Sequence, residues 1–355
     1  MEPKENIKEI LGSYNLKKLT VATVCSHTSL QIFDGARKEG FHTLGICIGS
    51  PPKFYDAFPK AKPDEFFQVS SYKEIPAKAE ELARKNAVIV PHGSFVEYLG
   101  TEKFEDLRLP TFGNRKVLTW ESDRDKQREW LVGAGLKMPD KIARPEDINR
   151  PVLVKFYGAK GGRGFFIAKN YEEFMEVNPK EAYTIQEYVV GTRYYIHFFY
   201  SPIGTKGYKL SRGTLEMMSM DRRDEANIDE MYKLGSQEKL KHLGIMPSFV
   251  VTGNVPVVIR ESLLPKAFEM GERTIERSIE LFGGMVGPFS LECIVTDKLE
   301  FKVFEISARI VAGTNFSVSG SPYSDLREKN MSMGRRIAKE LKAARKKGSL
   351  DLILS

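Results

Sequence analysis

Glu292 and Glu305 are the residues whose positions point most directly to chemistry. They lie in the apolar segments 289–295 and 299–306, which alternation predicts to be two strands joined by a turn at residues 296–298. The two-residue period of a strand places Glu305 at the end of an apolar row. Burying a charge there is costly, so the carboxylate calls for an explanation.

A loop of two or four residues between these strands would place Glu292 directly opposite Glu305. Like charges in that position destabilise a sheet, so the pattern predicts a cation between them. Mg²⁺, or Mn²⁺ in its place, suits the pair because such an ion takes one or two protein carboxylates and completes its shell with water and substrate phosphates. A three-residue loop would shift the pairing. The alternative, a solvated surface glutamate, fits Glu300 better than Glu305.

A glycine-rich hairpin is predicted at residues 151–169. An apolar run carrying Lys155 enters a loop with glycines at 158, 161, 162 and 164, and a second apolar run follows. A P-loop or a dinucleotide-binding loop would instead open a helix. A glycine hairpin with Lys155, Lys160 and Arg163 can close over a triphosphate, because its backbone N–H groups approach the oxygens and its cations offset their charge. The alternative is a surface hairpin with scattered charges.

Polar residues follow two predicted parallel strands. Ser-His-Thr-Ser at residues 26–29 and Pro-His-Gly-Ser at residues 91–94 each come directly after an apolar, β-branched run. Ligands of open parallel sheets bind beyond the carboxyl ends of the strands, so His27 and Ser94 should face one crevice. The helix that starts there offers free N–H groups to an anion. Capping or turn roles are the alternative for both residues.

Arg309 follows the second carboxylate strand and precedes a glycine turn at residues 310–315. A guanidinium fork beside such a turn can hold a phosphoryl group or an anionic intermediate. Pairing with a neighbouring carboxylate is the alternative.

The elements that position these residues indicate two architectures in one chain. Strand–helix–strand alternation over residues 19–48, with a further strand at 87–90, predicts a parallel sheet. One helix is expected over residues 117–137, and antiparallel strands are expected from residue 151 onward. The polar segment 219–247 is predicted to be a long connection.

Composition excludes several classes of protein. The 355 residues are 41% hydrophobic and 28% charged, which is typical of a soluble globular protein with two or three domains. No membrane span or signal peptide is recognisable, so a cytoplasmic location is expected. Three scattered cysteines indicate core residues and not a disulfide framework. The net charge of +7 is interleaved with acidic residues, which argues for phosphorylated small molecules and against nucleic acid as partners.

The glycine hairpin, the hinge segment 186–191 and the two strand glutamates resemble the ATP-grasp ligase superfamily. A closer resemblance, to the archaeal formate-dependent FAICAR (5-formaminoimidazole-4-carboxamide ribonucleotide) synthetases, covers nearly the whole chain. The similar segments are 26–29, 91–94, 112–115, 252–262 and 304–315.

The resemblance implies an α/β and α+β chain, an ATP-grasp fold with an N-terminal Rossmann-like parallel-sheet domain. The implied division is a nucleotide-substrate domain at 1–115, a helical connection at 116–150, a small lobe with the glycine lid at 151–205 and a large lobe with the metal site at 206–355. The implied reaction is formylation of the 5-amino group of the aminoimidazole carboxamide ribonucleotide (AICAR), through formyl phosphate, with ATP as the phosphoryl donor. A homo-oligomer is expected.

The resemblance also implies roles for particular residues. Those matched to the AICAR site are His27, Thr28, Ser29, Ser94 and Asn254. Those matched to ATP are Lys155, Gly161, Gly162, Arg163, Gly164, Glu187, Tyr188, Val189 and Glu225. Glu292 and Glu305 match the metal ligands. From their chemistry, Arg309 and His27 are the catalytic candidates, with His27 as the acceptor of the amine proton or with no protein base at all.

Two positions depart from the superfamily pattern. Arg193 stands where many members carry a ribose-binding glutamate, so that role passes to Glu225. Ser307 stands where many have an asparagine metal ligand. A ligase joining another carboxylate and amine, or a silent nucleotide-binding paralogue, are the alternatives.

Overall fold

The computed structural model describes residues 4–156, 164–225 and 250–355. In chain order its strands are β1 Thr20–Val24, β2 His42–Ile48, β3 Glu65–Val69, β4 Ala87–Ile89, β5 Lys141–Ile142, β6 Val152–Phe156, β7 Phe165–Ala168, β8 Tyr183–Glu187, β9 Thr192–Ser201, β10 Tyr208–Lys209, β11 Thr214–Glu225, β12 Val251–Pro256, β13 Gly287–Val295 and β14 Phe301–Ser307. The α-helices are α1 Lys4–Gly12, α2 Ser29–Lys38, α3 Ala79–Arg84, α4 Gly93–Leu99, α5 Thr101–Glu105, α6 Lys116–Ser122, α7 Arg124–Gly133, α8 Tyr171–Val177, α9 Leu264–Phe282, α10 Pro322–Asp325 and α11 Met333–Lys347. Short 3₁₀ helices lie at Leu16–Lys18, Lys53–Ala57, Tyr72–Lys78, Pro145–Asp147, Glu261–Leu263, Ala312–Ser317 and Leu350–Leu352.

The first sheet is parallel, in the order β3-β2-β1-β4. Every residue of β1 is buried, as its β-branched, apolar sequence predicts for a strand covered on both faces. Because β1 and β4 are neighbours, the segments that follow them emerge side by side. The strand–helix–strand unit predicted for residues 19–48 is confirmed, because β1 and β2 are parallel neighbours and α2 connects them.

The helix expected over residues 117–137 is instead two helices, α6 and α7. Asp123 has extended backbone angles (φ −94°, ψ 116°), which end the first helix. Its carboxylate accepts hydrogen bonds from the N–H groups of Asp125 (2.9 Å) and Lys126 (3.0 Å), and it thereby caps the second. The break moves Glu121, in the last turn of α6, towards the cavity described below.

The second sheet is antiparallel, with β10-β11-β9-β13-β14 in order and β12 also paired to β11. The prediction of a connection at 219–247 is wrong for its first part, because residues 214–225 form β11. Met220 and Asp221 are buried there between β9 and β12, so this polar stretch is a packed strand. The rest of that predicted connection, residues 226–249, lies outside the described residues.

The third sheet, β5-β8-β6-β7, is antiparallel and has a small core of its own formed by residues such as Val154, Phe166 and Ile185. The division of the chain into domains stays a prediction. It assigns residues 192–201 to the small lobe, whereas in the structure β9 pairs within the second sheet.

Helix α11 packs closely on α2, beside the first sheet. A Cβ at Gly35 would come within 2.6 Å of the Arg335 Cα, and one at Gly334 would come within 2.6 Å of the Gln31 carbonyl carbon. Only glycine allows two helix backbones to approach so closely. None of the helices in the described part of the chain combines the length and the hydropathy needed to cross a bilayer.

Candidate active site

His27 and His92 lie where β1 and β4 end. Their rings are stacked, with centroids 5.5 Å apart and planes 7° from parallel. His92 is fully buried, and its Nε2 lies 3.2 Å from the carbonyl oxygen of Val24. His27 has a left-handed backbone (φ 52°), a conformation that a non-glycine residue adopts only where its surroundings hold it. The two strand ends therefore meet, while the prediction that His27 and Ser94 face one crevice stays a prediction.

His27 is neutral over the physiological pH range. Burial lowers its pKa from 6.5 to about 4, and the nearby guanidinium groups of Arg309 and Arg223 add to the shift. Gly93 is part of the same corner, since a Cβ there would come 3.3 Å from His27 Nε2 and 3.4 Å from Arg309 Cζ. The first strand end therefore faces two cations.

The other residues matched to AICAR occupy different environments. Thr28 is fully buried, and its Oγ1 has no hydrogen-bond partner among the described residues, so it can serve a ligand. The Ser29 hydroxyl is already 2.7 Å from the hydroxyl of Tyr55. Ser94 is buried in the first turn of α4.

Asn254 lies at a distance along the chain but in the large sheet. Its Nδ2 donates to Asp221 Oδ2 at 2.7 Å, and Asp221 Oδ1 is 2.5 Å from His197 Nε2. Asp221 and His197 are buried, and a Cβ at Gly313 would come 2.5 Å from Asp221 Oδ1. Asn254 is thus held by a buried pair that the 312–317 turn covers.

Glu292 and Glu305 oppose each other in the β13–β14 ladder, the pairing expected for a loop of two or four residues. The route to that register differs from the expectation, because the loop has five residues, 296–300, and the register shifts by one between Glu292 and Cys293. Phe304 is the extra residue of this bulge. The bulge also corrects the face: Val303 is fully buried, whereas Glu305 is exposed to the cavity, so it does not end an apolar row.

The two carboxylates differ in their surroundings. Glu292 accepts hydrogen bonds from the Ser307 hydroxyl at 3.1 Å and from Arg223 Nη2 at 3.3 Å. Glu305 reaches solvent inside the cavity but is surrounded by protein, and this desolvation, with the charges of Glu292 and Glu121, raises its pKa to about 7. A cation between the two carboxylates would relieve that repulsion.

Glu121 is a third carboxylate beside this pair, and no pattern in the sequence predicts it. Its Oε1 is 2.7 Å from Arg309 Nη2, and its Oε2 accepts from the Ala308 N–H at 2.8 Å. Burial raises its pKa, while Arg309 opposes the shift. The pairing expected as the alternative for Arg309 is therefore present, with a carboxylate 188 residues earlier in the chain.

The described residues contain no group of three or more His, Cys, Asp or Glu side chains arranged to hold a metal ion. Two carboxylates are enough for Mg²⁺ when substrate phosphates supply further oxygens. The donor set of Glu292 and Glu305 therefore fits Mg²⁺ or Mn²⁺.

Lys155 lies near the end of β6, opposite Phe165 and Thr184 of the adjoining strands. Desolvation lowers its pKa, and the negative charge of Glu305 opposes this shift. Of the loop residues matched to ATP, Gly164 has the positive φ (73°) that a hairpin turn requires. Gly161, Gly162 and Arg163, with Lys160, lie outside the described residues.

The hinge segment joins the small sheet to the large one. The Glu187 carboxylate contacts Lys302 Nζ (3.2 Å) and the Asp140 N–H (3.1 Å), and the Tyr188 N–H donates to the Pro151 carbonyl (3.0 Å). Val189 follows, partly buried. These contacts fix the backbone of the segment against both neighbours.

Glu225, at the end of β11, pairs with Arg193 through both of its carboxylate oxygens at 2.8 and 2.9 Å. Arg193 occupies the position of the superfamily's ribose-binding glutamate, and Glu225 is its expected replacement. The two residues therefore form an ion pair with each other.

A cavity of about 960 Å³ connects these groups. Its lining includes Gly93, Glu121, Lys155, Gln186, Glu305 and Arg309. It is large enough for a nucleotide-sized ligand. Lys155 and Glu305 thus share one cavity with residues of the first sheet's carboxyl edge.

Comparison with known proteins gives matches over the whole chain. Residues 169–355 match a family described as a domain of unknown function, DUF1297, and residues 21–142 match a protein of unknown function, DUF1246. A 5-formaminoimidazole-4-carboxamide-1-(beta)-D-ribofuranosyl 5'-monophosphate synthetase of Methanococcoides burtonii is 66% identical over 356 residues, with 100% of both chains covered.

Solved structures agree with the sequence matches. The IMP biosynthesis protein PurP from Thermococcus kodakaraensis has a TM-score of 0.73 and 29% identity, covering 94% of this chain and 100% of that one. The N5-carboxyaminoimidazole synthetase from Staphylococcus aureus complexed with ADP has a TM-score of 0.61 and 16% identity, covering 91% and 77%, and it shows similarity of fold alone.

Proposed function

Because the chain belongs to the family of 5-formaminoimidazole-4-carboxamide-1-(beta)-D-ribofuranosyl 5'-monophosphate synthetases, we propose that it formylates the 5-amino group of AICAR with formate and ATP. It is a ligase of purine biosynthesis with the ATP-grasp fold. Full-length identity carries this assignment, and the cavity that joins Lys155 and Glu305 to Arg309 supports it.

The reaction has two steps. A carboxylate oxygen of formate attacks the γ-phosphorus of ATP: an O–P bond forms, the bond from that phosphorus to the β–γ bridging oxygen breaks, and ADP leaves. The AICAR amine then attacks the formyl carbon of formyl phosphate: an N–C bond forms, the bond from that carbon to the phosphate oxygen breaks, and phosphate leaves. The proton that the amine loses passes to solvent or to a protein base. Positioning and electrostatic stabilisation carry most of the catalysis of such transfers, which explains an active site rich in charged groups and, among the residues that the structure describes, without an evident nucleophile.

On the ATP side, Lys155 and the glycine hairpin would contact the phosphates, and residues 187–189 would line the adenine. Glu225, with Arg193, is our candidate for the ribose. Glu292 and Glu305 would hold Mg²⁺ or Mn²⁺, which when bound neutralises charge on the phosphates.

On the acceptor side, His27, Thr28, Ser29, Ser94 and Asn254 would bind AICAR. The unpartnered Thr28 hydroxyl and the neutral His27 ring can each make a hydrogen bond to it. Arg309, fixed by Glu121, would face the anionic intermediate. We further propose that the protein is archaeal and cytoplasmic and that it forms a homo-oligomer. Light scattering would measure the mass of the oligomer.

The assay is release of ADP with ATP and Mg²⁺, adding formate and AICAR singly and together. Release that requires both is expected. Release with a different acid or amine would assign another ligase activity, and no release would indicate a silent paralogue.

The Glu292→Gln and Glu305→Gln variants should lose this activity and stay folded. Glu300→Gln is the matched control, because Glu300 pairs with Lys137 on the surface, at 2.8 Å. Full activity in both active-site variants would remove the metal site from the proposal.

A further inference from the structure

Arg223 lies on the face of the large sheet that carries the active-site carboxylates. Directly opposed residues of antiparallel strands share a face, and the pairs Glu305–Glu292, Glu292–Tyr195 and Tyr195–Asp221 form one row across four strands. Arg223 is two residues beyond Asp221 in β11, so it shares that face. Its guanidinium carbon lies 3.5 Å from the centroid of the Tyr195 ring.

The guanidinium uses little of its capacity to donate hydrogen bonds. Arginine has five N–H donors. Within residues 4–156, 164–225 and 250–355, the only hydrogen bond from the Arg223 side chain is the one from Nη2 to Glu292, at 3.3 Å. Its Nε is 3.8 Å from Asp221 Oδ2, which is too far for a hydrogen bond. Yet the side chain is only 17% exposed.

Arg336 shows what a purely structural buried arginine looks like in this fold. Its guanidinium lies over the Phe199 ring at 4.1 Å, as Arg223 lies over Tyr195. Unlike Arg223, it donates from Nε and Nη2 to Glu216 and from Nη1 to Glu340, at 2.8–3.0 Å. Buried donors ordinarily have acceptors, as those of Arg336 do. The unused N–H donors of Arg223 therefore indicate that a bound anion accepts their hydrogen bonds.

Arg309 is a second guanidinium with the same property. It is held on one side by Glu121, and its Nε has no hydrogen-bond partner among the described residues. Arg309 lies beside His27, since a Cβ at Gly93 would come 3.4 Å from Arg309 Cζ and 3.3 Å from His27 Nε2. Arg223 lies beside Asn254, since Arg223 Nε (3.8 Å) and Asn254 Nδ2 (2.7 Å) both approach Asp221 Oδ2. The charges of both arginines also lower the pKa of His27. Two guanidinium groups, each tied to one carboxylate, therefore converge between the AICAR residues and the metal carboxylates.

We propose that Arg223 and Arg309 together bind one phosphoryl group at this point. The inference rests on the proposed function and adds to it a residue, Arg223, for which no role was expected. Two sources can supply the group: the 5'-phosphate of AICAR, or the formyl phosphate formed from ATP. Tyr195 and Asp221 would hold the guanidinium in place as positioning residues.

The test compares Arg223→Met, Arg223→Lys and Arg222→Met in the full chain. Arg222 is the matched control, because it is adjacent in β11 but exposed on the other face. Thermal unfolding reports whether each variant is folded. One assay follows positional isotope exchange in ¹⁸O-labelled ATP with formate and Mg²⁺ and without AICAR, which detects reversible formation of formyl phosphate. A second measures the binding of AICAR and of its phosphate-free nucleoside.

For Arg223→Met we expect a loss of at least about tenfold in one assay, as for removal of a charged hydrogen-bond donor. Loss of isotope exchange assigns the formyl phosphate. Weaker binding of AICAR, with unchanged binding of the nucleoside, assigns the 5'-phosphate. Arg223→Lys should show a smaller loss and carries the test if Arg223→Met does not fold. Arg222→Met should match the wild type.

If the folded Arg223 variants match Arg222→Met in both assays, the inference is overturned and Arg223 serves only to neutralise Glu292. Failure of the wild-type chain to release ADP with formate and AICAR would instead overturn the proposed function, so the two failures are distinguishable.

Discussion

Three carboxylates lie close together, Glu121 and Glu305 in the lining of the cavity and Glu292 buried beside them, and their partners separate their roles. Glu121 is bound to Arg309 and a backbone N–H, and Glu292 is bound to Ser307 and Arg223. Glu305 makes no hydrogen bond within the described part of the chain, and its pKa is raised to about 7. It is therefore the carboxylate whose charge depends most on a bound cation.

Binding of Mg²⁺ should release protons from Glu305. Without the ion, the pKa of Glu305 is about 7 in the folded state, against 4.5 in the unfolded state. Between these pH values the folded state therefore binds more protons than the unfolded one. Its contribution to the free energy of unfolding is accordingly present below pH 4.5 and is lost as the pH rises through 7. Mg²⁺ requires the carboxylate, so binding at pH 7 should release about half a proton.

Calorimetry of Mg²⁺ binding in two buffers with different ionisation enthalpies measures this release. Glu305→Gln should abolish it, and Glu300→Gln should leave it unchanged. Identical apparent enthalpies in the two buffers for the wild type would show that Glu305 is already ionised.

His27→Gln should not reshape the pH dependence of turnover. Since the pKa of His27 is about 4, the ring is neutral throughout the range from pH 5.5 to 8 and does not titrate there. Glutamine keeps a hydrogen-bonding group, so we expect a raised KM for AICAR and a pH profile of the same shape. A limb of the wild-type profile near pH 6 that disappears in the variant would restore His27 as the acceptor of the amine proton.

At the scale of elements, the β13–β14 pair shows how far the sequence pattern reaches. Alternation predicted that Glu292 opposes Glu305 if the loop holds two or four residues; the two residues are opposed, but through a five-residue loop and a register shift. The bulge at Phe304 could not be predicted, because it accompanies a contact with Tyr195, 109 residues earlier in the chain (ring centroids 6.4 Å apart). Glu121 was missed for the same reason, since only tertiary packing brings it to Arg309.

The predicted strands were recovered because their cause is local. The five consecutive buried residues of β1 and the apolar runs of β6 and β7 are visible in the local sequence. The polar sequence at the end of β11 predicts a connection and not a strand. Its residues are buried by pairing with β9 and β12, and the segment's own sequence does not reveal that pairing.

Gly191→Ala should weaken ATP binding more than AICAR binding. Gly191 lies between β8 of the small sheet and β9 of the large sheet, and a Cβ there would overlap the Val295 carbonyl and come 2.8 Å from Ile294 Cγ2. The variant should be less stable by about 1–3 kcal/mol. Because hinge residues 187–189 are our candidates for the adenine contact, KM for ATP should rise. Lower stability with an unchanged KM for ATP would separate the hinge from the nucleotide.

At the scale of the whole molecule, the last helix completes the first sheet's core. Ile337 and Leu341 of α11 are buried in one cluster with Ile32 and Ala36 of α2. Gln31 extends the connection, since its Nε2 donates to Thr314 Oγ1 at 2.5 Å and to Asn315 Oδ1 at 3.1 Å, in the segment that follows Arg309. The start of α2 and the Arg309 segment therefore hold each other in place.

Gly334→Ala should raise the KM for AICAR more than the KM for ATP, which is the opposite of the effect expected for Gly191→Ala. A Cβ at Gly334 would come 2.6 Å from the Gln31 carbonyl carbon and 3.0 Å from the Ile32 Cα, which forces α11 away from α2. We expect a loss of about 1–3 kcal/mol in the free energy of unfolding and a KM that rises for AICAR more than for ATP. Gly12→Ala is the control, because a Cβ there meets no atom within 4 Å. Equal changes in both KM values would argue against a specific link to the AICAR residues.

The close contact between α2 and α11 also has a consequence for synthesis on the ribosome. Residues 20–89, which supply the four strands of the first sheet, are made well before residues 333–347. Until α11 appears, Ile32, Ala36 and the glycine groove at Gly35 remain uncovered. Domains usually fold from the N-terminus as they emerge, at about 5–20 residues per second. Here the nascent first domain must wait for more than 240 further residues, on the order of ten seconds or more, with apolar surface available to chaperones.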